Sequence, residues 1–124
     1  MIEKSKKILL VEDEKNIILG VKTCLEVADY AVVVVEDGEK AIDTAIKEKP
    51  DLILLDLMLP KVNGFQACQQ LKSMEETKHI PIVVLTAKTA EEDKERAMQS
   101  GADSYMTKPF RPEELWHEIK RFIH

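Results

Sequence analysis

Three carboxylates of this chain stand at the ends of strand-like segments. Glu12 and Asp13 follow the apolar run KILLV at residues 7–11, and Asp56 lies inside LILLDLMLP at residues 52–60. A carboxylate among leucines is costly unless it is paired, protonated or bound to a metal. Two carboxylates about 4 Å apart repel by roughly 4 kcal/mol at an effective dielectric of about 20. If the three converge, a hard divalent cation with oxygen ligands, such as Mg²⁺, is the natural partner.

Two more polar residues follow strand-like segments. Thr86 comes after PIVVL at residues 81–85, and Lys108 follows SYMT at residues 104–107. A cation, a lysine and a hydroxyl around one carboxylate make a pocket that attracts a phosphoryl group. Aspartate can attack phosphorus to form an acyl phosphate, and flanking charges stabilise the phosphoryl oxygens during transfer. The pattern therefore predicts Asp56 as a nucleophile, with Lys108 and Thr86 beside it.

The elements that must position these residues alternate along the whole chain. Apolar or β-branched runs predict strands, and segments with apolar residues at helical spacing follow each of them. The predicted strands span residues 7–11, 31–35, 52–55, 81–85 and 104–107. Thr89 and Glu92 have the spacing of a capping box, Gly101 suits a helix C-terminus and Pro112 suits a first helical position.

Unbroken apolar strands in a (βα)5 pattern predict an α/β fold with a doubly wound, five-stranded parallel sheet. By analogy, the order is the flavodoxin-like 2-1-3-4-5. In such sheets ligands bind beyond the carboxyl ends of the strands, where the winding direction reverses. That point lies between the first and third strands, where Glu12, Asp13 and Asp56 are expected.

The composition of the chain limits the classes of function that it can have. The 124 residues predict one domain, 1–124, and the content of 44% hydrophobic and 33% charged residues is that of a globular protein. The net charge of -5 gives no bulk attraction to nucleic acid or anionic membrane. We find no signal peptide or membrane-spanning pattern. Cys24 and Cys68 lie among apolar neighbours and are expected to be buried thiols, which suits a cytoplasmic location.

Other interpretations of the acidic residues exist. Glu12 and Asp13 could be a solvated helix start, and Asp56 could be a turn residue before Pro60. A flavin-binding domain of the same topology would carry a Ser/Thr/Gly-rich phosphate loop after the first strand, where this chain has VEDEKN. An Asp-nucleophile phosphatase or a Mg²⁺ nuclease would show Asp-x-Asp, but Met58 stands two residues after Asp56.

From Lys7 to Ile123 the chain resembles the response-regulator receiver domain of two-component signalling. ILLVEDE is similar to the acidic pair of that family, and DLILLDLMLPKVNG to its phosphoacceptor segment. VVLTAK resembles the hydroxyl-bearing segment, and GADSYMTKPF the lysine-proline ending. These motifs occur in the family's order and at its spacing.

The resemblance implies roles for the acidic residues and the metal. Asp56 would be the phosphoacceptor. Asp13 would bind Mg²⁺ (or Mn²⁺) directly, Glu12 would bind it through water, and the Met58 backbone carbonyl would complete the protein ligands. Met58 and Lys88 occupy positions that tune hydrolysis of the acyl phosphate in relatives.

The resemblance also implies how the phosphoryl group is held and sensed. Thr86 and the Ala87 backbone N–H would hydrogen-bond the phosphoryl group, and Lys108 would pair with it. The Lys108–Pro109 peptide bond is expected to be cis. Tyr105 is similar to the family's switch aromatic, which turns inward as Thr86 moves toward the phosphate.

The implied partners are a sensor histidine kinase or phosphotransfer protein as donor, and an output domain or partner protein as receiver of the signal. We expect no turnover enzyme, only self-phosphorylation and slow autodephosphorylation, and no direct contact with nucleic acid or membrane.

The segment between Thr89 and Ser100 has few apolar residues, so a loosely held fourth helix is expected to relay the signal. Phosphorylation is expected to alter association through the fourth helix, fifth strand and fifth helix, and a homodimer is one form that this association can take. Trp116 is either core or a half-exposed anchor near Tyr105. The alternative is a phosphorylation-independent interaction domain of the same fold.

Overall fold

The computed structural model describes residues 5–57, 63–87 and 91–123. Within these ranges strands and helices alternate as the sequence predicts. In chain order they are β1 Lys7–Val11, α1 Lys15–Val27, β2 Ala31–Val35, α2 Gly38–Glu48, β3 Leu52–Asp56, α3 Gly64–Ser73, β4 Ile82–Ala87, α4 Glu91–Gln99, β5 Ser104–Lys108 and α5 Pro112–Lys120.

The five strands form one parallel sheet in the order β2-β1-β3-β4-β5. This confirms the predicted doubly wound fold. The register pairs Val11 with Leu55 and Ala87 with Lys108. The carboxyl ends of four strands therefore meet at one edge of the sheet, which we call the site edge.

The helices divide the core into two layers, one on each face of the sheet. On the α1/α5 face, the even-numbered residues of β1 and β3 pack against Val21 and Leu25 of α1 and Leu115 and Ile119 of α5. On the α2/α3/α4 face, the odd-numbered residues of those strands pack against α2, α3 and Ala97 of α4. Side chains of a strand alternate between faces, so β1, β2, β3 and β4 contribute to both layers, and β5 contributes Met106 to the α1/α5 layer.

Two aspartates fix the starts of neighbouring strands. Asp51 precedes β3, and its Oδ2 accepts a hydrogen bond of 2.7 Å from the backbone N–H of Lys7 in β1. Asp103 precedes β5, and its Oδ2 accepts a hydrogen bond of 2.8 Å from the N–H of Ile82 in β4. Both contacts hold the register at the end of the sheet opposite the site edge.

Three strands extend beyond the ends that their apolar residues predicted. β3 includes Asp56, β4 runs to Ala87 and β5 runs to Lys108. Polar residues continue these strands because their neighbours in the sheet supply backbone partners, as the pairing of Thr86 with Thr107 shows.

The helix ends agree with the predicted signals where the structure describes them. Pro112 opens α5, and Gly101 follows α4 with φ +100°. Asn63 caps α3 by accepting a 3.0 Å hydrogen bond from the N–H of Gln66. Thr89, predicted to cap the fourth helix, lies outside the described residues.

Both cysteines are free thiols. Cys68 is buried in the core, where burial raises its pKa to about 11, and Cys24 is half-buried. Among the described helices, none has the length and apolar character needed to cross a membrane.

Two glycines give opposite predictions for substitution by alanine. A Cβ on Gly64 would stand 2.5 Å from the Leu57 Cα and 2.7 Å from the Asp56 carbonyl oxygen. Gly64→Ala should therefore lower the free energy of unfolding by about 1–3 kcal/mol. A Cβ on Gly20, inside α1, would meet nothing within 4 Å. Gly20→Ala should raise the free energy of unfolding by about 0.5–1 kcal/mol, since alanine is the better helix former. Urea unfolding measures both, and equal effects of the two substitutions would contradict the packing at Gly64.

Candidate functional site

The side-chain alternation of the strands places three predicted residues on one side of the site edge. Ile8 and Leu10 of β1 lie on the α1/α5 face, as does Met106 of β5. Alternation continues to Glu12, Asp56 and Lys108, so all three extend the α1/α5 face beyond the core. The pairing of Val11 with Leu55 sets Glu12 beside Asp56.

Glu12 and Asp56 are deeply buried carboxylates. Their residues are 1% and 3% exposed. The backbone of Glu12 donates to the carbonyl of Val35 at 3.0 Å. Its Oε2 accepts hydrogen bonds from the N–H groups of Asp13 and Glu14 at 3.1 and 3.3 Å. These bonds at the start of α1 fix the orientation of the Glu12 side chain toward Asp56.

Lys108 bridges the two buried carboxylates. Its Nζ lies 3.3 Å from Asp56 Oδ1 and 3.5 Å from Glu12 Oε1. The ammonium is thus held where it can pair with a charge that develops on Asp56. The Lys108–Pro109 peptide bond is cis, as expected from the resemblance.

Asp13 completes a cluster of three carboxylates. Its residue is exposed, and one carboxylate oxygen from each of Glu12, Asp13 and Asp56 lies within 4.8 Å of the others. When all are ionised, the three carboxylates and the one ammonium carry a formal charge of -2. A divalent cation balances that charge, and carboxylate oxygens are the ligands that Mg²⁺ and Mn²⁺ prefer.

The crowding is visible in the protonation of Glu12. Burial, and next the hydrogen bond and charge of Asp56, raise the pKa of Glu12 from 4.5 to about 7, although the Lys108 charge opposes the increase. The two carboxylates are thus close enough to share a proton. A cation that displaces this proton would relieve the same repulsion.

Thr86 and Tyr105 lie on the other face of the sheet. Ile82 and Val84 belong to the α2/α3/α4 layer, so alternation puts Thr86 there, and Thr86 is 3% exposed. Tyr105 pairs with Val84 in the register and is 40% exposed. The Lys94 Nζ of α4 stands 5.4 Å from the centroid of its ring. The predicted switch pair therefore shares the face that carries α4.

Four other predicted residues are placed less fully. Ala87 ends β4 opposite Lys108. Met58 and Lys88 lie outside the described residues. Trp116 is half-buried and donates from Nε1 to the Cys24 carbonyl at 3.0 Å, so it contacts α1.

Several contacts at the site were not predicted from the sequence. The Lys108–Glu12 pair joins residues 96 positions apart, and only the strand register brings them together. The close packing of Gly64 on the Asp56 backbone also follows from the fold, although the Asn63-Gly64 pair had marked the turn. The stacking of Lys94 on Tyr105 had no sequence signal.

The chain belongs to the response regulator receiver domain family, whose model matches residues 8–120. It is 45% identical over 119 residues to the alkaline phosphatase synthesis transcriptional regulatory protein PhoP of Bacillus subtilis, covering 96% of this chain and 49% of the relative. It is 44% identical to the phosphate regulon transcriptional regulatory protein PhoB of Pseudomonas aeruginosa, covering 95% of this chain and 52% of the relative. The chain thus spans about half the length of these relatives.

Solved receiver structures have the same fold. A putative response regulator from Chloroflexus aurantiacus superposes with a TM-score of 0.93 at 31% identity, covering 96% of this chain and 98% of that one. The receiver domain of a sensor histidine kinase from Pseudomonas aeruginosa, with a magnesium ion coordinated in its active site cleft, gives a TM-score of 0.90 at 34% identity and the same coverage. The chain is therefore a signalling domain of response regulators rather than an enzyme of the usual kind.

The raised pKa of Glu12 predicts a pH dependence of stability in metal-free protein. Between pH 4.5 and about 7, Glu12 keeps its proton in the folded state and loses it in the unfolded state. The unfolded state then binds fewer protons, so the free energy of unfolding falls as the pH rises through this range. Glu12→Gln should remove this part of the decline, as measured by urea unfolding in a chelator.

Glu26→Gln is the matched control, because Glu26 is an exposed residue of α1. Its pH profile should run parallel to that of the wild type. If the Glu12→Gln profile is also parallel, the raised pKa of Glu12 is wrong.

Proposed function

We propose that Asp56 accepts a phosphoryl group from a sensor histidine kinase or a phosphotransfer protein. The observation that carries this proposal is the position of Asp56. It is a buried carboxylate at the end of the central strand β3, paired with Lys108 at 3.3 Å and clustered with Glu12 and Asp13. The membership in the receiver family supports the same role.

In the transfer, a carboxylate oxygen of Asp56 attacks phosphorus and forms an acyl phosphate. The bond from phosphorus to the donor breaks, and the donor leaves with the electron pair. Lys108 stays within reach of the new phosphoryl group and pairs with its negative charge. Lys108 therefore acts on the reacting atoms directly, and Thr86 and the Ala87 backbone N–H donate hydrogen bonds to the phosphoryl oxygens from β4.

The donor set at the site edge fits Mg²⁺ or Mn²⁺, because three carboxylates offer hard oxygen ligands within 4.8 Å of one another. Asp13 and Asp56 would hold the ion directly and Glu12 through water. The Met58 carbonyl, the fourth proposed ligand, lies outside the described residues. When bound, the ion neutralises negative charge on the phosphoryl oxygens.

The signal leaves the site through the α4-bearing face. Thr86 follows the Leu85 that pairs with Asp56, and Tyr105 lies diagonally from Thr86 on the same face. Movement of Thr86 toward the phosphoryl group would open space for the exposed ring of Tyr105. Chemical turnover is limited to self-phosphorylation and slow autodephosphorylation.

The output is an attached domain, a partner protein or a second copy, recognised through α4, β5 and α5. PhoP and PhoB are named as transcriptional regulators, so control of transcription by a longer regulator in the cytoplasm is the proposed setting. The receiver itself is not proposed to touch nucleic acid or membrane.

Acetyl phosphate with Mg²⁺ tests the phosphoacceptor. Wild-type protein should gain one phosphate by intact mass, and Asp56→Asn should gain none. Asp43→Asn, an exposed residue of α2, is the matched control and should gain one. A phosphate on the Asp56→Asn variant, or none on the wild type, would contradict the proposal.

Sedimentation velocity tests the homodimer. With acetyl phosphate and Mg²⁺ the wild type should sediment faster than without donor, and Asp56→Asn should sediment alike in both conditions. An unchanged wild-type profile removes homodimerisation as the output.

A further inference from the structure

Helix α4 is attached to the domain by few contacts. Ala97 is its one buried residue within Glu91–Gln99. Two cations of α4 lie on aromatic rings of the neighbouring elements. The guanidinium carbon of Arg96 stands 3.9 Å from the centroid of Phe65 in α3, and Lys94 lies over Tyr105 in β5. Because α4 buries so little apolar surface, these two ring contacts add to a small attachment.

The Phe65 side of this attachment leads directly to the phosphoacceptor segment. Phe65 follows Gly64, which leaves no room for even a Cβ against Leu57 and the Asp56 carbonyl oxygen. The Gly64 N–H also donates a 3.1 Å hydrogen bond to the Leu57 carbonyl. The Asp56–Leu57 backbone cannot shift toward α3 without displacing the first turn of that helix, which carries the Phe65 ring.

We propose that the stacking of Arg96 on Phe65 is a second coupling between the phosphoacceptor segment and α4, separate from Thr86 and Tyr105. This inference rests on the proposed phosphorylation of Asp56. A change at Asp56 is passed through the Leu57–Gly64 contact to the Phe65 ring, and from the ring to the guanidinium of Arg96. Arg96 is thus a positioning residue for α4.

The geometry separates this route from the switch pair. Thr86 and Tyr105 act on α4 from the β4 and β5 side, where Lys94 makes its contact. Arg96 contacts the opposite neighbour, α3. Because Arg96 is exposed, its contact changes an equilibrium by about two- to fivefold. A change of that size is enough to shift the equilibrium between the attached and detached states of a weakly attached helix.

Amide hydrogen exchange of α4, with and without acetyl phosphate and Mg²⁺, tests the coupling. In the wild type, α4 should exchange faster than α1, and phosphorylation should raise the α4 rates further. Phe65→Leu keeps an apolar side chain without the ring, and Arg96→Gln removes the guanidinium. Each should reduce the ratio of phosphorylated to unphosphorylated α4 rates by about two- to fivefold. The double variant should show no further reduction, which marks the two residues as one unit.

Intact mass, recorded on every sample, distinguishes the possible failures. Absence of phosphate on the wild type overturns the proposed function itself. If phosphorylation is normal, three results would overturn the coupling alone. The α4 exchange of the wild type could stay unchanged, the variants could retain the wild-type ratio, or the effects of the two substitutions could be additive. Glu95→Gln, which changes an exposed charge beside Arg96, is the control and should keep the wild-type ratio.

Discussion

The repulsion among three carboxylates at one edge of the sheet is the constraint on which the site depends. Glu12 and Asp56 are both buried, and the structure balances their charge with Lys108 and with a raised pKa of Glu12 to about 7. Neither compensation is complete, because the cluster keeps a surplus of negative charge once Glu12 ionises. An acidic cluster in this condition is compatible with divalent metal binding, and in the proposed function a bound cation and Lys108 would together favour an incoming phosphoryl group.

The parallel sheet divides the residues of the proposed chemistry and those of the proposed signal between two faces. Alternation along the strands places Glu12, Asp56 and Lys108 on the α1/α5 face, and Thr86 and Tyr105 on the α2/α3/α4 face. Thr86, at the site edge, is thus the residue through which the proposed chemistry on one face would reach the other face. The weakly buried helix α4 packs on the α2/α3/α4 face. Because its opening costs little free energy, small changes in its neighbours alter the fraction of molecules in which it is detached.

Local signals in the sequence predicted most of the fold. The apolar run at residues 7–11 and Pro112 each act through burial or backbone geometry near their own position, and both elements begin where predicted. The ends of β3, β4 and β5 were less predictable, since neighbouring strands extend them into polar residues. The Lys108–Glu12 and Arg96–Phe65 contacts could not be predicted, because they depend on register and helix placement.

The most direct measurement of the central claim is a Mg²⁺ titration followed by carbon-13 NMR of the side-chain carboxyl groups at constant pH. The account predicts that the resonances of Glu12, Asp13 and Asp56 shift together with one saturation curve, and that the pKa of Glu12 falls as the ion binds. If those three resonances stay unchanged while Mg²⁺ shifts carboxyl groups elsewhere, the site edge is not a metal site and the account is contradicted.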